Sequence, residues 1–236
     1  MLFSTTETPY DVRFSVFGIP TRVHPGFWVV AALIGWANAQ MAFTLTWVAC
    51  LFVSILVHEL GHALSARSFG WPPNILLYSF GGLAFFSPGH GYTRGRGIWV
   101  SFAGPLAGFV LAGLVFVLSI GLDVAASRGQ LWAANLTRGG SLGDFAIMQL
   151  LWINVVWGLF NLLPILPLDG GRICEELFNA RQDIRGRRRL FLIGTMCSAG
   201  AAAFLWFQLH ALFGAIMFGG MAYQNYKSYE QSKRGW

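Results

Sequence analysis

Hydrophobic and polar positions fall in long blocks along this chain, not at the short periods of an amphipathic helix or a half-buried strand. From about residue 27 to residue 66 nearly every position is apolar. About 20 residues carry a helix across a hydrocarbon core about 30 Å thick, so this run predicts two spans. The weakly polar Asn38-Ala39-Gln40 is the natural turn between them. Residues 98–121 and 145–163 predict one span each. The last block, residues 190–226, would be about 55 Å long as a single helix at about 1.5 Å per residue. It therefore predicts two shorter spans that turn near Gln208-Leu209-His210. Between the second and third spans, residues 74–86 are bounded by Pro73 and Pro88, strand-like in composition and short for a span. They read as a β-hairpin or re-entrant strand turning near Gly81-Gly82, with an edge that an extended peptide could join. The expected fold is an all-α polytopic membrane protein of about six transmembrane helices, with that hairpin between helices 2 and 3. A segment 1–26 precedes the membrane domain 27–226, and a basic tail 227–236 follows it. The first segment lacks a basic start followed by an apolar stretch, so no cleavable signal peptide is expected.

Composition agrees with the blocks. Of 236 residues 55% are hydrophobic and only 11% charged, against about 25% charged in soluble domains. Disordered chains, coiled coils and nucleic-acid-binding domains fit poorly. The net charge of +6 becomes a topology signal once the spans are placed. Of sixteen Lys and Arg, all but Arg128 and Arg138 fall on the side of the termini, which the positive-inside rule assigns to the cytoplasm. A prokaryotic cell membrane with both termini cytoplasmic is the expected location. The Arg185–Arg189 cluster belongs to the same signal and would also meet anionic headgroups. Ala103/Ala107 and Gly104/Gly108 in the third span predict close helix packing. Cys50, Cys174 and Cys197 make no ligand-spaced cluster.

An ionisable residue inside a span costs about 2.5–3.5 kcal/mol even on insertion scales, so each one needs a partner. The second span holds three in the order His58-Glu59-Leu60-Gly61-His62. Residues four apart share a helix face, so both imidazoles can reach one Zn²⁺. Glu59 lies on the adjacent side, where it can take a proton from water at the metal without ligating it. A catalytic zinc commonly has a third protein ligand and an open position. Asp169 follows Asn161-Leu162-Leu163-Pro164-Ile165-Leu166-Pro167-Leu168 where the fourth span meets the cytoplasmic side, a depth shared with the histidine pair. Glu175 and Glu176 are the alternative ligands. Pro164 and Pro167 stop a regular helix, and Gly170-Gly171 permits a tight turn after the ligand. Asn154 and Asn161, seven residues apart, would share one face of a regular helix, with Asn154 best read as an interhelical hydrogen bond. His24, His90 and His210 carry no assigned chemistry.

These motifs together resemble the site-2 protease family of intramembrane zinc metalloproteases, peptidase family M50. The resemblance spans residues 20–175 and rests on His58 to His62 and on Asn161 to Gly171, with Phe80-Gly81-Gly82-Leu83-Ala84 and Ala103-Gly104-Pro105 between them. It implies one Zn²⁺ per chain bound by His58, His62 and Asp169. Glu59 would be the general acid/base, and Asn161 would hold the substrate or stabilise the oxyanion. The implied reaction is hydrolysis of peptide bonds in or near transmembrane segments of membrane-protein substrates, as in regulated intramembrane proteolysis. The chain departs from many relatives in carrying Gly108 where they have Asn, and in having no space for a PDZ or CBS domain. A non-catalytic membrane protein that binds metal or helices is the alternative. A helix-binding pseudoprotease would be expected to lack Glu59 or a ligand, and all are present. The outer halves of the spans carry no ionisable residue, which argues against a transporter. The segment at Asp169 argues against hydrolases that take Glu as third ligand.

Overall fold

The computed structural model describes residues 7–36, 40–89 and 91–234. Asn38 and Ala39 of the expected first turn, and His90, lie outside the described residues. The chain divides into two compact units, Met1–His90 with Ala103–Gly158, and Gly91–Phe102 with Leu159–Trp236.

The first unit begins with strands β1 (Val12–Val16) and β2 (Ile19–Val23). They are joined at Phe17-Gly18, both at positive φ, the backbone a tight hairpin turn requires. Pro25 opens helix α1 (Pro25–Gly35), where a missing N–H costs nothing, and the His24 ring accepts the Gly26 N–H at 3.0 Å. Helix α2 (Met41–Ser68) follows, then strands β3 (Pro73–Tyr78) and β4 (Gly81–Phe86). The four strands form one sheet in the order β1-β2-β3-β4, with β2 and β3 parallel and both hairpins antiparallel. The hairpin turns at Ser79-Phe80, closed by the Tyr78–Gly81 pair. Ile19, Val23, Phe27, Ile75, Leu77 and Ala84 pack on Ile55, Leu60 and Ala63 of α2, so the sheet is seated on that helix. Arg67 near the end of α2 donates to the Phe17 carbonyl and ties down the first hairpin turn.

Helix α3 (Arg94–Ser127) contains Pro105, and the short α4 (Leu131–Thr137) leads to α5 (Leu142–Trp152). A π-helical turn over Ile153–Trp157 carries α5 into α6 (Gly158–Asn161). The second unit holds α7 (Asp169–Leu177), α8 (Ile184–Phe207) and α9 (Leu212–Arg234). Ile165, Leu205 and Phe218 form its core.

Among the described residues four helical stretches are long and apolar enough to cross a membrane: Met41–Ser68, Arg94–Ser127, Leu142–Asn161 and Ile184–Phe207. The first expected span is the 11-residue α1, about 16 Å long at about 1.5 Å per residue. The break between α8 and α9 covers Gln208 to Ala211, where the sequence places the last turn.

Candidate metal centre

His58, Glu59 and His62 lie in the C-terminal half of α2, where all three are buried. The i,i+4 spacing brings the Nε2 atoms of His58 and His62 to 3.1 Å, with the rings nearly perpendicular at 79°. Two nitrogens held about 2.0–2.1 Å from a tetrahedral zinc are about 3.3 Å apart, so the pair fits two corners of such a site. The facing helix must come close to allow this. A Cβ at Gly104 of α3 would collide with His62 Nε2, and one at Gly61 would lie 2.8 Å from the Ala107 Cβ. The small residues of the third span are therefore a packing device, and one of them makes room for an imidazole. From the other direction, a Cβ at Gly82 of β4 would collide with the Glu59 side chain. With glycine there, the edge strand rests on that carboxylate without displacing it.

Asn154 is 4% exposed and donates to Ser54 Oγ at 2.8 Å, an α2 partner, and to the Leu150 carbonyl at 2.8 Å. This is the interhelical hydrogen bond that its place in an apolar helix calls for. A Cβ at Gly108 would sit 3.4 Å from Asn154 Oδ1, so the glycine leaves space beside the amide. A small cavity there is lined by Ser54, His58, Gly108 and Asn154. The π-helical turn breaks the α-helical register after Asn154, and with it the basis for a face shared with Asn161.

In the second unit Asn161 is the last residue of α6 and Asp169 the first of α7, 8% and 9% exposed. Residues 162–168 turn back over the start of α7. Cβ atoms at Gly170 and Gly171 would collide with the backbone of Leu162 and Ile165, so both glycines are required by close approach of main chain. Hydrogen bonds from Ile165 N to Leu163 O at 2.7 Å and from Leu168 N to Ile165 O at 2.8 Å hold the turn. Arg172 N donates to Leu168 O at 3.1 Å and locks it to the helix.

Glu175 and Glu176, the alternative ligands, are engaged elsewhere in this unit. Arg181 pairs with both, at 3.3 Å and 3.2 Å, and stacks over the Tyr92 ring. The Tyr92 hydroxyl donates to Glu176. Burial and then that hydrogen bond push the Tyr92 phenol up to about 12. His24 caps α1, and His210 lies in the turn before α9 at positive φ. The sequence reading missed the β1–β2 pair, although short apolar–polar alternation around Phe17-Gly18 is a hairpin signal. It also missed Ser54 as the partner of Asn154.

A model described as peptidase family M50 matches residues 46–139 and 134–205. The chain is 30% identical over 179 residues to a zinc metalloprotease of Methanocaldococcus jannaschii, covering 73% of this chain and 47% of that protein. It is 30% identical over 177 residues to stage IV sporulation protein FB of Bacillus subtilis, covering 75% of this chain and 54% of that one. The chain thus spans about half the length of these curated relatives. The solved site-2 protease from Methanocaldococcus jannaschii has the same fold, with a TM-score of 0.60 at 22% identity over 93% of this chain and 95% of that chain.

Proposed function

The chain belongs to peptidase family M50, an integral membrane protein by its apolar helices and kinship, and from that premise we propose that it is an intramembrane zinc endopeptidase. One Zn²⁺ is held by His58, His62 and Asp169. The observation that carries the reading is the convergence of the two imidazole Nε2 atoms at 3.1 Å beside the buried Glu59. The burial of Asp169 at the head of α7, in a turn with the family's proline and glycine pattern, supports the third ligand.

When bound, the zinc supplies a Lewis acid that polarises the scissile carbonyl and brings the pKa of water to about 7. Glu59 takes the proton of the attacking water and returns it to the departing amine. Asn161 offers its amide N–H groups to the substrate carbonyl as negative charge develops. The substrate is a membrane protein with a transmembrane segment, cut in or near that segment as in regulated intramembrane proteolysis. β4 ends the sheet order, so a locally extended substrate can add beside it and pass Gly82, which lies against Glu59. Six spans with both termini in the cytoplasm of a prokaryotic cell agree with the distribution of Lys and Arg.

The deciding experiment compares Glu59→Gln with the wild type on a transmembrane substrate in detergent. The variant is expected to keep its zinc and its fold while cleavage falls by at least about 100-fold. Undiminished cleavage would overturn the mechanism and favour a non-catalytic metal-binding or helix-binding protein.

A further inference from the structure

Helix α9 lies outside the residues matched by the family model, which end at 205. It nevertheless carries one polar side chain with a reach far from itself. Asn225 is 3% exposed, near an apolar core of Ile165, Leu205 and Phe218, and well away from the end of α9 where Arg188 of α8 donates to the Ser232 carbonyl. Its Nδ2 donates to the Met221 carbonyl one turn below at 2.9 Å, and to the Leu166 carbonyl at 2.8 Å, 59 residues away in sequence. Its Oδ1 is buried without a hydrogen-bond partner. A buried amide oxygen gains nothing from an apolar contact, so packing alone would be served by a leucine here. What leucine lacks is the donor to Leu166.

Leu166 stands three residues before Asp169, between Pro164 and Pro167, neither of which has an N–H to give. Leu168, the residue just before α7, makes no side-chain cap. The turn entering α7 is held within itself by the bonds from Ile165 N and Leu168 N, and the Leu166 carbonyl adds to these a tie from outside, to Asn225. Gly194 of α8 makes the approach possible, since a Cβ there would lie 2.7 Å from Asn225 Oδ1 and 3.4 Å from the Pro164 carbonyl. Ser198, one turn further along α8, is fully buried and donates only within its own helix, to Gly194 and Thr195.

We infer that Asn225 is a positioning residue for the metal-binding carboxylate: by holding the Leu166 carbonyl it sets the angle at which the chain enters α7, and so where Asp169 presents its oxygens. The inference rests on Asp169 being a zinc ligand. Partners that orient a ligand typically change metal affinity by about 10- to 100-fold when removed.

The test measures zinc affinity of the full chain in lipid nanodiscs by chelator competition at neutral pH, together with the thermal midpoint of the zinc-free protein. Asn225→Leu should bind zinc about 10- to 100-fold more weakly, with a zinc-free midpoint no lower than that of Ser198→Ala, whose zinc affinity should match the wild type. Gly194→Ala leaves the amide in place but pushes it aside, and should weaken zinc about 10-fold. That variant decides the matter if Asn225→Leu does not fold. Wild-type zinc affinity in folded Asn225→Leu or Gly194→Ala overturns the inference, as does an equal loss in Ser198→Ala. Asp169→Asn separates the two levels. If it binds zinc like the wild type, the ligand assignment itself fails, whereas zinc lost there and retained in Asn225→Leu rejects only the role of Asn225.

Discussion

His58 and His62 stand one turn apart on an unbroken 28-residue helix, whereas Asp169 follows a turn that contains two prolines and folds back on the helix it opens. In the first region geometry is inherited from the helix itself: any α-helix puts i and i+4 on one face. Neighbouring elements only have to stay out of the way, which Gly104 and Gly82 do by lacking a side chain. In the second region nothing regular fixes the carboxylate. It is set by main chain packed on main chain at Gly170 and Gly171, and by an amide reaching in from α9. On the proposed ligand assignment, the pair built on one helix tolerates change around it better than the carboxylate held by a stack of close contacts.

That contrast sets an order of expected effects. The largest belongs to Gly170→Ala, whose Cβ meets the Leu162 backbone, which cannot swing aside as a side chain can. Zinc affinity, measured by chelator competition, should fall by about 100-fold, and a variant that still binds like the wild type would break the comparison. A smaller loss, about 10-fold, is expected for Gly104→Ala, because the atom it meets belongs to an imidazole that can rotate at some cost to ligation. Should this variant prove worse than Gly170→Ala, the helix half of the site would be the fragile one. The smallest effect is that of Asn154→Ala. Losing its hydrogen bond to Ser54 should cost about 1 kcal/mol in unfolding free energy, with the turnover number unchanged. A marked fall in turnover would instead give Asn154 a place beside the substrate.

The parts of the fold that could be read in advance are those governed by solvent and period. Long apolar blocks announce helices because a lipid-facing backbone must satisfy its own hydrogen bonds, and the helices at Met41–Ser68, Arg94–Ser127, Leu142–Asn161 and Ile184–Phe207 fall in those blocks. The β3–β4 hairpin showed in its bounding prolines and strand-like composition, but it turns at Ser79-Phe80, and Gly81-Gly82, expected at the turn, open β4. The parallel pairing of β2 with β3 did not show, since it joins Thr21 to Ile75 across a span of chain that no local pattern connects. The π-helical turn at Ile153–Trp157 was equally hidden, because it shifts register without changing composition. Glu175 and Glu176 were fair alternative ligands by sequence distance. Their pairing with Arg181 and Tyr92 depends on the loop before α3 folding onto α7.

The chain's residence among apolar surroundings, its helical blocks and the His58–Glu59–His62 triplet follow from the sequence alone, because hydropathy and a fixed helical period act between near neighbours. The glycine clearances around His62 and Glu59, the Asn154–Ser54 bond and the tie from Asn225 to Leu166 were decided only by the tertiary structure. Each depends on how closely two distant stretches of backbone approach, and a collision or a hydrogen bond is settled within a few tenths of an ångström, far below what the order of residues specifies.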